Sequence, residues 1–284
     1  TADTSIGAGE YLIAETRFEG QDLQQLKKGT ASAEQVTVSF YVKGNAAALY
    51  VCELYDTDNS RSITQSFAVT TSWNRIELTF AADTSDPLND DNAISLALNF
   101  WLHAGATFTG GTFAVNTWND QTAANRCAVD GFTSIFDATS RTFFLTGVQM
   151  EIGATATEFE SRSYGEELAL CQRYLQSSWS QGSAIGSAIS QTSNAVQQSW
   201  GSSNVGSVAG QAIMLPVTMR AIPTLVTYDE ALNTGKVTTL NSGAGPTNDV
   251  TVNQNYTTTN LFQVRLFNNS VYGMTFAYTL TAEL

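Results

Sequence analysis

Apolar and polar side chains alternate along most of the first half of the chain. Val36, Val38, Phe40 and Val42 are separated by Thr37, Ser39, Tyr41 and Lys43. Successive side chains of a strand point to opposite faces, so a period of two marks a strand with one face buried. The same period recurs from Tyr11 to Phe18, Ala48 to Tyr55, Ile63 to Val69, Arg75 to Phe80, Ile94 to Leu102 and Thr142 to Met150. Turn-forming residues lie between these runs, at Gly44-Asn45, 56–60, 83–92 and Gly110-Gly111. The pattern predicts a two-sheet antiparallel sandwich of jelly-roll type over residues 1–160.

The period changes once. Ser163 followed by Glu166 matches a capping box, and Leu168, Cys171 and Leu175 recur at spacings of three and four. Glu166 and Glu167 sit near the positive end of the helix dipole and Arg173 near the negative end. These features predict a short amphipathic helix within a connecting segment, residues 161–178. A helix this short is marginal alone, so its apolar stripe is expected to dock on a neighbouring sheet or on copies of itself. Residues 179–210 are rich in Ser, Gln, Gly and Ala, with Trp179 and Trp200 as large side chains and no charge. They fit a flexible linker or a tightly wound stalk; Ile185, Ile189, Val196, Val205 and Val208 favour the stalk.

Strand alternation returns over 211–284. Phe262, Val264 and Leu266 form one face, Asn268-Asn269 marks a turn, and Tyr272, Met274, Phe276, Tyr278 and Leu280 line a second, aromatic face. Further strands are expected near Ile213 to Met219, Thr224 to Tyr228 and Lys236 to Leu240. The fold class predicted is all-β: an N-terminal jelly-roll sandwich, a short connecting helix and a small C-terminal antiparallel β domain. A domain this small would gain by burying its apolar face against sister subunits. Leu168, Cys171, Leu175, Tyr272, Met274, Phe276 and Tyr278 are therefore the expected oligomer contacts.

With 284 residues, 43% of them apolar, the chain has material for a buried core. Lys and Arg total 13 against 26 Asp and Glu, a net charge of −13, which argues against nucleic acid as a partner. No run approaches the length of a membrane span, so membrane insertion is not expected, and the first residues lack the regions of a signal peptide. The chain starts on Thr1, which fits a fragment or a processed product. Cys52, Cys127 and Cys171 are far apart with no CxxC spacing. Neither a zinc site nor a disulfide framework is supported, and Cys171 on the helix stripe reads as a small buried hydrophobe.

Three stretches carry a resemblance: RFEGQDLQQLKKGTASAEQVTVSFYVKG, SWNRIELTFAADTSDPLNDDNAISLALNFWL and FFLTGVQMEIGATATEFESRSYGEELALCQRYLQ. In order, they resemble a module of structural proteins of tailed bacteriophages, particularly those infecting marine bacteria and cyanobacteria. The match spans most of residues 1–178, and GVQMEIGATATEFE and YGEELALCQRYLQ are its most specific parts. LPVTMRAIPTLVTYD and FAYTLTAEL also resemble the carboxy-terminal ends of phage fibre proteins. The resemblance implies a carbohydrate-binding jelly roll on a tail fibre or related virion appendage.

Catalytic chemistry finds little support. His103, the only histidine, ends an apolar strand and reads as structural. No GxSxG elbow, Walker loop or HExxH helix is present. Asp83, Asp86, Asp90 and Asp91 fit a solvated turn better than a glycosidase pair, which needs carboxyls on rigid elements in distinct environments. The DTDNSR segment has Arg61 where a calcium loop of the EF-hand type requires Gly, and reads as a hairpin turn. Sugar recognition needs an exposed aromatic face beside groups that read hydroxyls. Trp118, Asn119 and Asp120 have that composition, although a loop tryptophan also suits covering the end of a sandwich; Trp73 and Trp101 read as core residues. The sequence thus predicts a non-enzymatic virion protein without cofactor or metal, trimeric, binding a host-surface glycan and other virion proteins. A head fibre, capsid decoration or tail connector is the alternative, with a polysaccharide depolymerase behind it.

Overall fold

The computed structural model describes residues 6–190, 193–199, 208–210, 212–241, 246–252, 254–267 and 271–284. The alternating runs of the first half form β1 (Tyr11–Glu19), β2 (Val36–Gly44), β3 (Ala48–Asp56), β4 (Arg61–Val69), β5 (Asn74–Phe80), β6 (Ile94–Ala104) and β8 (Phe143–Ile152), with β7 (Asn119–Asp120) a two-residue addition. They make a five-stranded sheet in the order β1-β6-β3-β4-β7 and a three-stranded sheet in the order β5-β2-β8. Paired neighbours in both sheets run antiparallel. Val38, Phe40 and Val42 of β2 share one core with Tyr50, Cys52 and Leu54 of β3, Phe67 of β4 and Leu96, Leu98 and Phe100 of β6. Phe40 meets Phe67 and Phe100 edge-on, with centroids 5.1 Å and 4.9 Å apart, the arrangement the ring quadrupole favours.

The second face of the five-stranded sheet is also buried. Val51 and Trp101 lie under Cys127, Phe108, Phe113, Val129 and Phe132, all from the long connection after β6. Glu53, fully buried there, accepts hydrogen bonds from Arg126 Nε (2.7 Å) and Nη2 (2.5 Å), Trp101 Nε1 (2.8 Å) and Asn99 Nδ2 (3.1 Å). A buried carboxylate is tolerable only when charge and lone pairs are satisfied in this way. The Arg126 guanidinium lies 4.5 Å from the Trp101 ring centroid, so one side chain neutralises Glu53 and seals the layer. Trp101 is a core residue, as its apolar strand suggests.

The chain divides into two compact units, Thr1–Ser161 with Leu284, and Arg162–Glu283. Of the four segments read from composition, 1–160, 161–178, 179–210 and 211–284, the last three fall almost wholly within the second unit. In the second unit β18 (Val271–Thr281) is the organising strand. One side pairs with β9 (Leu175–Ser177) and β10 (Val196–Ser199), the other with β13 (Thr224–Tyr228) and β14 (Lys236–Asn241), which also pairs with β15 (Thr247–Thr251). A smaller sheet joins β17 (Leu261–Phe267) to β11 (Val208–Ala209), β12 (Ala212–Met214) and β16 (Gln254–Thr257).

Two expectations change here. Met274, Phe276 and Tyr278 are buried against Phe262, Val264 and Leu266 of the same unit, so the aromatic face expected to meet sister subunits is filled internally. The Tyr272 side chain, the Asn268-Asn269 turn, Trp200 and Val205 lie outside the described residues. Of the segment 179–210, expected as a linker or stalk, the described residues around Trp179 and Ile189 pack into the second unit. Trp179 is buried with Ile189 and Ala277, stands edge-on to Tyr228 at 5.2 Å and donates to Ser187 O at 3.1 Å. Ala277 has no bulk on the outer face of β18, and an indole from this polar segment fills that space.

The helix forms at Tyr164–Gln172 with the predicted capping box: Ser163 Oγ accepts from Glu166 N (3.3 Å), and Glu166 Oε2 accepts from Ser163 N (2.9 Å). None of its residues is buried, and Cys171 is exposed where burial was expected. The stripe of Leu168, Cys171 and Leu175 is broken. Leu175 has left the helix to pair with Thr281, because the edge of β18 offers backbone partners.

Candidate functional site

The three residues read as a sugar site are adjacent in space but make no platform. Trp118 is half-buried on the sandwich core and donates from Nε1 to Ala81 O at 2.8 Å; Lys28 Nζ lies 5.2 Å from its ring centroid. Asn119 and Asp120 form β7, paired with Ser62 and Arg61, and Asp120 bonds Arg61 Nη1 at 3.2 Å. Trp118 therefore covers the end of the sandwich.

Beneath Trp118 the sandwich end is closed by charge. Lys28 Nζ lies 2.6 Å from Asp56 Oδ2, 3.1 Å from Asp83 Oδ2, 2.8 Å from Asp86 O and 3.3 Å from Ser85 O. Gly29, at φ +81°, sets the backbone behind it, where a Cβ would come within 2.4 Å of Pro87 N. Burial alone would raise the Asp83 carboxyl, but Ser85 N, Arg61 and Lys28 outweigh it and hold its pKa below the usual carboxylate range. Asp83 is thus part of a buried ion cluster, a correction to the solvated-turn reading. The 56–60 turn fits its expectation: Asp56 accepts from Asn59 N and Nδ2 at 3.0 Å and 2.9 Å.

The outer face of the three-stranded sheet is different. Val42 pairs with Asn74 and Lys43 with Phe144, which places Trp73, one residue before β5, level with Lys43. The result is a row of Trp73, Lys43 and Phe144 across the sheet. Trp73 is 47% exposed and Phe144 48%. Lys43 Nζ lies 5.2 Å and 5.3 Å from their ring centroids. The next row sets Tyr41 between Arg75 and Thr146, with Arg75 Nη1 2.9 Å from Glu77 Oε1.

Farther along, residues 153–160 fold back over the face. Thr37 Oγ1 donates to Gly153 O (2.7 Å), Thr79 Oγ1 to Ala154 O (3.2 Å) and Glu160 N to Gln149 Oε1 (2.8 Å). Gly147, at φ +60°, allows the bulge in β8 at this edge; a Cβ there would lie 3.1 Å from Tyr41 and 3.8 Å from Phe159. One end of the face is closed and the Trp73 end is open. Expecting Trp73 to plug the core was wrong for a reason visible in the register: Ile76, Leu78 and Phe80 point inward, so 79, 77, 75 and 73 point out. Counting back by two from Thr79, the outward neighbour of Phe80, would have found it.

Other candidate chemistry is internal. His103 is buried, with Nδ1 2.8 Å from Ser134 Oγ and its ring edge-on to Phe136, which ties the covering connection to β6. Burial pushes the Cys52 and Cys127 thiols well up, with Glu53 adding to the effect. Among the described residues no group of His, Cys, Asp and Glu is arranged to hold a metal ion, and no helix is long and apolar enough to cross a membrane.

No protein-family model and no curated protein sequence matches the chain. Among solved structures, discoidin II of Dictyostelium discoideum aligns at 12% identity over 88% of this chain and 74% of its own, with a TM-score of 0.20. The PBSX exported protein XepA aligns at 6% identity over 97% of this chain and 83% of its own, with a TM-score of 0.21. At these scores the likeness carries no argument about chemistry, and the all-β fold stands on the strand pairing described above.

Proposed function

We propose that the chain is a non-enzymatic virion protein, a subunit of a tail fibre or related appendage, whose first unit holds a host-surface glycan on the open end of the three-stranded sheet. The observation that carries the glycan reading is the exposed row of Trp73 and Phe144 beside Lys43, Arg75 and Glu77. Aromatic faces stack on the C–H side of a pyranose while polar groups flank its hydroxyls. Sequence resemblance to phage virion modules supports the appendage reading. A single open face of this kind binds weakly, and several copies on one particle would turn modest affinity into firm adhesion. A homotrimer supplies such copies.

Glycan-array binding of the wild-type chain and of a Trp73→Ala, Phe144→Ala double variant tests this reading. Loss of an aromatic anchor of this type costs about 2 kcal/mol, roughly thirtyfold in affinity. Binding retained by the double variant would refute it. A second reading, a capsid decoration or connector that binds other virion proteins, is favoured by the exposed apolar side chains Tyr164, Leu170 and Leu175 at and beside the helix. Strong association with capsid or tail protein, without glycan binding, would select it. Release of reducing ends from a bound polysaccharide would instead select a depolymerase.

A further inference from the structure

We infer that the ligand of this face is an anionic sugar, a uronate or a sulfate ester, whose acidic group is taken by Lys43; the inference rests on the glycan reading of the face. The chain has four lysines, Lys27, Lys28, Lys43 and Lys236. Three are ion-paired: Lys27 with Glu34 at 2.9 Å, Lys28 with Asp56 at 2.6 Å and Lys236 with Asp249 at 3.2 Å. Lys43 has no carboxylate partner among the described residues. Its ammonium is held instead between two exposed rings, at 5.2 Å and 5.3 Å from their centroids. Cation–π attraction to the two rings holds the charge in place without pairing it to an anion, which leaves it available to an acidic group of a ligand.

A pyranose stacked on Trp73 or Phe144 brings its ring substituents toward that ammonium. A neutral hydroxyl there gains an ordinary hydrogen bond; a carboxylate or sulfate gains a charge-assisted one, which is stronger. Glu77, two rows along and opposite Ser39, is engaged by Arg75 at 2.9 Å and does not compete. The net charge of −13 repels an anion at long range, yet beyond about 8 Å that repulsion is screened at physiological ionic strength. Contact at Lys43 therefore decides the preference. A lysine that merely lays its stem over exposed rings would also be seen here, and it makes the opposite forecast: methionine would serve as well.

The test is calorimetric titration of the full chain with three oligosaccharides of equal length: oligogalacturonate, a sulfated galactose oligomer and a neutral galactose oligomer. Because the pair is exposed, the expected advantage of the anionic ligands is roughly threefold to fivefold in Kd at low salt. Lys43→Met should abolish that advantage and leave neutral binding within about twofold, Lys43→Arg should restore it, and Trp73→Ala should weaken all three ligands together. The better of the two anionic arms identifies uronate or sulfate as the source. Equal binding of neutral and anionic oligomers by the wild-type chain would overturn the anionic class while the glycan face stood. An anionic preference that survived in Lys43→Met would remove Lys43 from the recognition. Failure of every oligomer to bind, in wild type and Trp73→Ala alike, would remove the glycan reading itself and this inference with it.

Discussion

Lys28 shows how one side chain can hold together turns distant in sequence. Its ammonium satisfies Asp56 and Asp83 together with two backbone carbonyls, in a position where its side chain is only 6% exposed. Lys28→Met would keep the stem and strip the charge, leaving Asp56 buried without its cation and Asp83 with Arg61 as its remaining cation beside the Ser85 amide. Breaking a buried pair from one side costs about 3–5 kcal/mol, so the urea midpoint of the first unit should fall accordingly. Asp83 also makes stability depend on pH, as does Asp229 in the second unit. Burial raises Asp229, but Asn233 Nδ2 and the amides of Asn233, Asp249 and Ala231 bond it and leave its pKa below the usual range. A carboxyl with a depressed folded pKa stabilises the fold above its unfolded pKa, and that stability is lost as pH falls through the folded value. Urea midpoints should hold steady from pH 7 to about 5 and drop below about 4, and Asp229→Asn should flatten the drop for the second unit.

Among the elements, the helix Tyr164–Gln172 depends on its ends, since none of its residues is buried. Ser163→Ala removes the Oγ that caps Glu166 N while leaving the bond from Ser163 N to Glu166 Oε2, and should cost about 1 kcal/mol of local stability, seen as faster amide exchange at Glu166 and Glu167 with the strand amides unaffected. The strands of the first half were legible almost residue by residue, because one polar face against one apolar face leaves a period of two in the sequence. β9 and β10 were not legible. Each is short, and each is a strand only because the edge of β18 offers hydrogen-bond partners. The same cause ended the helix at Gln172, where its 3.6-residue period would have continued it through Leu175.

For the whole molecule, two compact units with separate cores predict two separable responses. Phe40→Ala, which empties space among Phe67 and Phe100, and Phe276→Ala, which empties space under β17, should each cost about 3–5 kcal/mol. In calorimetry each should lower a different transition. A single transition shifted by both would contradict independent units. Light scattering on the full chain tests the proposed trimer, with a mass near three times 30.5 kDa as the expected result. The sequence by itself determined the β architecture and the helix start, because alternation and capping are local and leave local periods. Only the tertiary structure decided that Trp118 is a lid, that Met274 and Phe276 are interior, and that the charge-free segment carrying Trp179 is part of the second unit. Those outcomes depend on what lies across the core from each side chain, and a linear pattern holds no record of that.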